Sequence, residues 1–357
     1  PPPHHSSAAS DVYKRQNKRW VLAKRPEGMP EDECWKLEEA SIKDLDENQI
    51  LIKVMYLSID PYMRGRMNDM KSYTEPVAIG EVMTGESVGQ VIQSRSEKFQ
   101  IGDYVAAHLG WQSFIRCNDD NPALMRIYPD LAPIQSFLGP AGMPGRTAYF
   151  GLKEVGKVKE SDTVVVSAAS GAVGSVVGQM AKLIGCKTIG IAGGKKKCDF
   201  VKDVMGLDYA IDYKSKTFRD DLSKACSDGI DIYFENVGGE VSKAVAELLN
   251  PGARVPICGF ISAYNSFNSN ISESSELPET PFDIFGNLDP APEHRFFVVT
   301  EFNKNWEQAT RELAEWMRQG KIKYKETVLE GIENAPQGLR DVLSGKNFGK
   351  QLIKVSD

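Results

Sequence analysis

The sequence predicts an α/β protein: a doubly wound parallel sheet in its second half, preceded by a smaller, mostly β domain. Two observations predict this. From Asp162 onward, apolar strands alternate with helical stretches: DTVVVSAAS, a helix over about 173–183, KTIGIAG, a helix from about Lys196, DYAIDY, a helix over about 218–227, GIDIYFENVGG, a further helix and ARVPICGF. Such alternation builds a parallel sheet covered by helices on both faces. From residue 17 to about 135 the signals are instead short and β-like, QILIKVMYLSID, ESVGQVIQ and GDYVAAHLGWQSFIRC, punctuated by Gly, Pro and Asp. That is the pattern of an irregular β domain.

Taken in order, residues 1–16 (PPPHHSSAASDVYKRQ) lack periodicity and an apolar core, so they read as a leader or disordered tail rather than a signal peptide. The 357 residues suffice for two cores, with 41% hydrophobic and 26% charged residues. A net charge of −6 argues against a nucleic-acid-binding surface. No apolar run approaches the ~20 residues of a membrane span. Cys34, Cys117, Cys186, Cys198, Cys226 and Cys258 form no CxxC pair, and several lie in apolar runs. This suits reduced thiols in a cytoplasmic protein.

The most specific signal is VVVSAASGAVGS. Its turn, Ala169-Ser170-Gly171-Ala172-Val173-Gly174, is an A-x-G-x-x-G form of the dinucleotide fingerprint. It follows a strand, opens a helix and lies in a βαβ unit, the context the fingerprint requires. Gly171 lets the backbone approach a pyrophosphate, Gly174 lets the helix pack on the strand, and the helix N-terminus offers free N–H groups. The domain is therefore expected to be of the Rossmann type. The second strand ends in Ile191-Ala192-Gly193-Gly194-Lys195-Lys196-Lys197. An NAD site would place a carboxylate there for the ribose hydroxyls, whereas lysines attract a 2′-phosphate. The expected cofactor is NADPH.

Residues 262–294 are rich in Ser, Glu, Asn and Pro, which reads as mobile surface or a lid. RFFVVTEF then reads as a strand, with the character of an edge available for pairing. Phe302, Trp306, Ala309, Leu313 and Trp316 repeat at helical spacing, which makes the two tryptophans core residues.

The four histidines are His4, His5, His108 and His294, none with a neighbouring ligand pattern. Glu81 and Glu86 alone do not make a zinc site. The expected chemistry is therefore metal-free. It suits reduction of an activated C=C bond, whose own carbonyl polarises the alkene.

NKRWVLAKRP, YLSIDPYMRGRM, GMPGRTAYFGL, AASGAVGSVVGQMAKLIGCK, AGGKKKC, GIDIYFENVGG, CGFISAYN and GKNFGKQLIKV occur in order along almost the whole chain after residue 16. Together they resemble the zinc-free medium-chain dehydrogenase/reductases, and within them the NADPH-dependent alkenal and enone reductases, a group that includes prostaglandin and curcumin reductases. The resemblance implies a GroES-like domain over 17–140, completed by 319–357, a Rossmann domain over 141–318, substrate between them, and a homodimer. It also implies that Gly171, Ala172, Val173 and Gly174 meet the pyrophosphate, and Lys197 and Tyr213 the 2′-phosphate. Asn236, Cys258, Gly259, Ile261, Ser262, Tyr264, Phe297, Val298 and Asn347 fall at its other cofactor contacts. Two departures stand out: the Ser/Glu-rich composition after SAYN, and Arg146, where the group has an uncharged residue.

The reaction so implied is hydride transfer to the β-carbon of an α,β-unsaturated ketone or aldehyde. The developing enolate oxygen needs hydrogen-bond donors, which the resemblance assigns to the cofactor ribose and Tyr264. Tyr264 also reads as cofactor packing, and Tyr62 either as a pocket residue or a packed barrel tyrosine. The alternatives are an NADPH:quinone reductase on the same fold and a non-catalytic NADPH-binding protein.

Overall fold

The computed structural model describes residues 16–69, 74–264 and 279–357. The expected leader lies outside these residues, except Gln16, which opens the first strand.

The described residues divide into two compact units. One takes those up to Tyr128, with Val328–Arg340 and Leu352–Asp357; the other takes those of Pro129–Thr327, with Asp341–Gln351. The expected divisions near 140 and 318 thus fall instead at 128/129 and 327/328. Residues 341–351 also join the second unit, where Phe348 packs edge-on against Phe200 at 5.2 Å.

In the first unit, β1 (Gln16–Leu22) and β2 (Trp35–Ser41) form an antiparallel hairpin. A seven-stranded sheet runs β14 (Glu326–Glu330), β15 (Lys350–Lys354), β3 (Gln49–Ile59), β4 (Ser87–Ser94), β5 (Tyr104–Ala107), β7 (Leu124–Arg126), with β6 (Phe114–Asn118) paired to β3. Period-two alternation puts Ile50, Ile52 and Val54 into one core with Val91, Val105 and Ile115, all essentially inaccessible. The strands expected from QILIKVMYLSID, ESVGQVIQ and GDYVAAHLGWQSFIRC are present, the last as two strands.

The second unit is a six-stranded parallel sheet in the order β10 (Tyr209–Asp212), β9 (Lys187–Ala192), β8 (Thr163–Val166), β11 (Ile230–Phe234), β12 (Leu249–Ile257), β13 (Glu293–Phe296). Chain order reverses across β8, the doubly wound arrangement the alternation predicts. Both faces of β8 are buried. Val164 and Val166 pack with Ile232, Phe234, Val176, Met180 and Leu313, while Val165 packs with Ile189, Tyr233, Leu222, Val245 and Phe285. Helices Met143–Phe150, Gly174–Ile184 and Trp306–Arg318 therefore cover one face, and Phe218–Ala225, Gly239–Ala246 and Pro281–Gly286 the other. Each fully buried valine contributes roughly 1.5–3 kcal/mol of transfer free energy, enough to make this strand the centre of the unit.

Two expectations are corrected. RFFVVTEF is not one strand. Only Glu293–Phe296 pairs, parallel with β12, and Val299–Asn305 is a 3-10 helix. The Glu301 carboxylate accepts the Val298 N–H at 2.7 Å and turns the chain out of the sheet. Phe302 therefore precedes the long helix, whereas Ala309 and Leu313 are buried on it as expected. The polar stretch 262–294 is also not all loop. Residues 265–278 lie outside the described residues, but Pro281–Gly286 is helical. Thr280 and Asp283 close a capping box there, with Pro281 at the first helical position. Thr280→Ala is expected to cost about 1 kcal/mol, read as a lower melting temperature with cofactor affinity unchanged.

Arg146 is buried. Its Nη1 donates to Thr310 Oγ1 at 3.1 Å and its guanidinium lies 4.6 Å from the Trp306 ring centroid. It ties the helix Met143–Phe150 to Trp306–Arg318.

Candidate functional site

The site gathers at the C-terminal ends of β8, β9, β10, β11 and β12. After β8, Ala168 is held at φ +50, an uncommon conformation for a residue with a Cβ. Its carbonyl accepts the Gly171 N–H at 2.8 Å and closes a tight elbow. A Cβ on Gly174 would stand 2.3 Å from that carbonyl oxygen, and one on Gly171 3.1 Å from it. Among the described residues the N–H groups of Ala172 and Val173 meet no acceptor, and both residues are partly exposed at the start of the helix Gly174–Ile184. Unsatisfied donors at a helix N-terminus fit an anion such as a diphosphate.

After β9 the chain turns through Gly193 and Gly194, the latter at φ +87, into the helix Lys195–Asp199. The three lysines differ in what they do. Lys195 pairs with Asp199 at 2.7 Å, and Lys196 lies 5.8 Å from the Phe348 ring centroid. Lys197 is half-buried and donates to the Gly345 carbonyl at 2.9 Å. Burial lowers its pKa, and the nearby Lys214 charge lowers it further. A cation both desolvated and repelled favours an anionic partner. Tyr213 bonds back through its N–H to Ala192 O at 3.1 Å, and its hydroxyl stands 3.0 Å from where a Gly193 Cβ would sit. Lys214 Cε lies 3.1 Å from that same point. Asp212 Oδ1 accepts both the Gly194 N–H, at 2.8 Å, and the Lys214 N–H, at 2.9 Å, so one carboxylate joins the two turns. Sequence reasoning missed Lys214, although it directly follows Tyr213.

Asn347 belongs to the segment whose Gly345 carbonyl meets Lys197. Its Nδ2 donates to Gly349 O at 2.9 Å.

After β11, Asn236 donates through N to Ser167 Oγ and through Nδ2 to Ser167 O, both at 2.9 Å, which seats it beside the elbow. The segment after β12 is laced to this turn. Cys258 N and Gly259 N donate to Glu235 O, Ile261 N to Asn236 O, and Ser262 N and Oγ to Val237 O. Tyr264 folds back so that its hydroxyl stands 2.7 Å from where a Gly259 Cβ would sit. The Cys258 thiol is pushed up to about 12, by burial first and then by the Glu235 charge.

Phe297 is buried, edge-on to Phe234 at 6.1 Å, so its side chain is core. Val298 N–H is taken by Glu301.

Tyr62 lies in the first unit. Its hydroxyl is 3.4 Å from His108 Nε2, the rings stack at 6.1 Å, and Thr84 Oγ1 reaches the same nitrogen at 3.1 Å. Burial is the main cause that lowers the His108 pKa. Among the described residues no group of three or more His, Cys, Asp or Glu side chains could hold a metal ion.

Comparison with known proteins extends the picture. The family model for the N-terminal domain of oxidoreductases matches residues 18–125, and that for zinc-binding dehydrogenases matches 172–275. The chain is 43% identical to the NADPH-dependent curcumin reductase of Escherichia coli (strain K12) over 96% of this chain and 98% of that one. It is 37% identical to the NADP(+)-dependent 2-alkenal reductase of Nicotiana tabacum over 95% and 98%. The crystal structure of CurA in complex with NADPH from Vibrio vulnificus superposes with a TM-score of 0.87 at 44% identity, covering 95% of this chain and 99% of that one.

Proposed function

The chain belongs to the medium-chain dehydrogenase/reductases, in the group of the NADPH-dependent curcumin and 2-alkenal reductases, and from that premise we propose that it reduces the C=C bond of α,β-unsaturated ketones and aldehydes. The observation that carries this reading is the pairing of an open glycine elbow with a half-buried lysine beyond the second strand, within one sheet edge. When bound, NADPH supplies the hydride. The chain positions and stabilises. Gly171, Ala172, Val173 and Gly174 hold the diphosphate, the free N–H groups facing it. Lys197 and Tyr213 hold the 2′-phosphate end, and Asn347 is a further cofactor contact. Asn236, Cys258, Gly259, Ile261 and Ser262 line the dinucleotide. Phe297 and Val298 are assigned to the dinucleotide through their backbone carbonyls, since the Phe297 ring is committed to the core and both N–H groups are taken.

Tyr264 donates to the enolate oxygen that develops as the β-carbon takes the hydride. Tyr62 is assigned to substrate contact, its hydroxyl beside His108 Nε2. The reaction runs without a metal, in a cytoplasmic homodimer. Among the described residues no helix is long and apolar enough to cross a membrane, and all six cysteines are free thiols.

Initial rates of NADPH consumption across enones, enals and quinones test the assignment. Turnover with enones and enals is expected. Turnover with quinones alone would favour a quinone reductase, and none with any acceptor a non-catalytic NADPH-binding protein. Tyr264→Phe is expected to lower kcat for an enone about 100- to 1000-fold, the size of effect seen when one donor to a developing oxyanion is lost. Unchanged turnover at saturating enone would remove Tyr264 from the chemistry.

A further inference from the structure

Glu235 has no part in the chemistry described so far, yet it is the most heavily bonded carboxylate near the cofactor turns. It follows β11 and is fully buried. Its Oε1 accepts from Val237 N at 2.7 Å, Gly238 N at 3.0 Å, Tyr233 OH at 3.0 Å and Ser167 Oγ at 3.3 Å, and its Oε2 accepts from Ser242 Oγ. Two of these donors are backbone amides at the mouth of the helix Gly239–Ala246, which only an acceptor can satisfy.

The bonds converge on the cofactor-facing backbone. Ser167, which Glu235 holds, is the residue between β8 and the glycine elbow, and it is also the partner of both Asn236 nitrogens. Val237 and Gly238 continue the Asn236 turn. The Glu235 carbonyl in turn accepts the Cys258 and Gly259 amides of the segment after β12. One residue therefore joins the three turns that the functional reading assigns to the dinucleotide.

We infer that Glu235 is a positioning residue of the cofactor site, whose carboxylate keeps the glycine elbow and the Asn236 turn in register for the dinucleotide. The inference rests on the reading of that edge as the NADPH site. Burial raises the Glu235 pKa and its hydrogen-bond donors lower it. The donors are also what the side chain orders.

A positioning residue and a mere brace differ in kinetics. A brace, once lost, lowers the melting temperature and the folded fraction but leaves KM for the surviving folded molecules unchanged. Removing the acceptor leaves two backbone amides unpaired, the Gly238 one buried and the Val237 one partly so, and relieving them displaces the turns. Glu235→Ala is therefore expected to raise KM for NADPH and for NADH by the same factor, at least ~10-fold, with kcat at saturating cofactor within ~3-fold. Glu235→Gln keeps one carbonyl oxygen for the amides, and Ser242 can turn to accept, so it is expected to recover most of the loss. Should Glu235→Ala not fold, Ser167→Ala carries the test, with both KM values expected to rise by roughly 3- to 10-fold.

Unmoved KM values for both cofactors in folded Glu235→Ala or Ser167→Ala, or a loss confined to NADPH, would overturn the inference alone, given normal NADPH turnover in the unaltered protein. No NADPH-dependent turnover in the unaltered protein would overturn the functional reading, and this inference with it.

Discussion

Lys197→Ala is expected to raise KM for NADPH by about 10- to 100-fold while leaving NADH within about twofold, since a charge-assisted contact to phosphate is worth roughly 1.5–3 kcal/mol. The asymmetry follows from the environment of this lysine. Lys195 is tied to Asp199, and Lys196 sits by the Phe348 ring. Lys197 is half-buried, opposed by Lys214, and among the described residues hydrogen-bonded only to a neutral carbonyl. A 2′-phosphate relieves both penalties at once, and NADH has none to offer. Lys195→Ala serves as the comparison, with both cofactors nearly unchanged. Steady-state kinetics with each cofactor would decide the matter. An equal loss on both cofactors in Lys197→Ala would mean that the adenosine phosphate is held elsewhere.

Gly174→Ala is expected to weaken both cofactors together, by roughly 10- to 100-fold or more. The added Cβ would stand 2.3 Å from Ala168 O, and the Ala168 and Ala169 backbone lies within 3.0 Å. Overpacking of this kind costs about 1–3 kcal/mol. Here the group that must move is the carbonyl that closes the elbow through Gly171 N, so the strain falls on the backbone proposed to hold the diphosphate. Gly194→Ala is the contrast. Nothing lies within 4 Å of a Cβ there, and only the positive φ of +87 opposes it. It is expected to cost about 1 kcal/mol of stability, read as a lower melting temperature, with far less effect on binding. Titration of NADPH and NADH by fluorescence, with thermal melts of each variant, would separate the two. Wild-type affinity in a folded Gly174→Ala protein would contradict the assigned geometry of the elbow.

Much of the sheet unit was legible because strand and helix periods separate cleanly there. VVV between polar residues reads as a strand buried on both faces, and Val164, Val165 and Val166 divide between the two cores as that requires. The elbow was legible as a turn because a glycine pattern between a strand and a helix spells a tight backbone approach. RFFVVTEF misled because a short apolar run has no period of its own. What ends the strand is Glu301, a capping carboxylate that the run itself contains. The helix Pro281–Gly286 was hidden by its polar surroundings, although Thr280, Pro281 and Asp283 spell its start. The return of 341–351 to the second unit depends on Phe348 meeting Phe200 and Gly345 meeting Lys197, contacts far apart in sequence that no local pattern encodes. Glu235 was passed over for a related reason. Its neighbour Asn236 bears the family resemblance, and only three-dimensional structure shows five donors converging on the carboxylate.

The most direct test follows the hydride itself. With NADPH deuterated at the transferable position of the nicotinamide ring and an α,β-unsaturated ketone as acceptor, the saturated ketone is expected to carry deuterium at its β-carbon, one atom per NADPH consumed. Deuterium at the carbonyl carbon of an allylic alcohol, or a saturated product with none at the β-carbon, would contradict it.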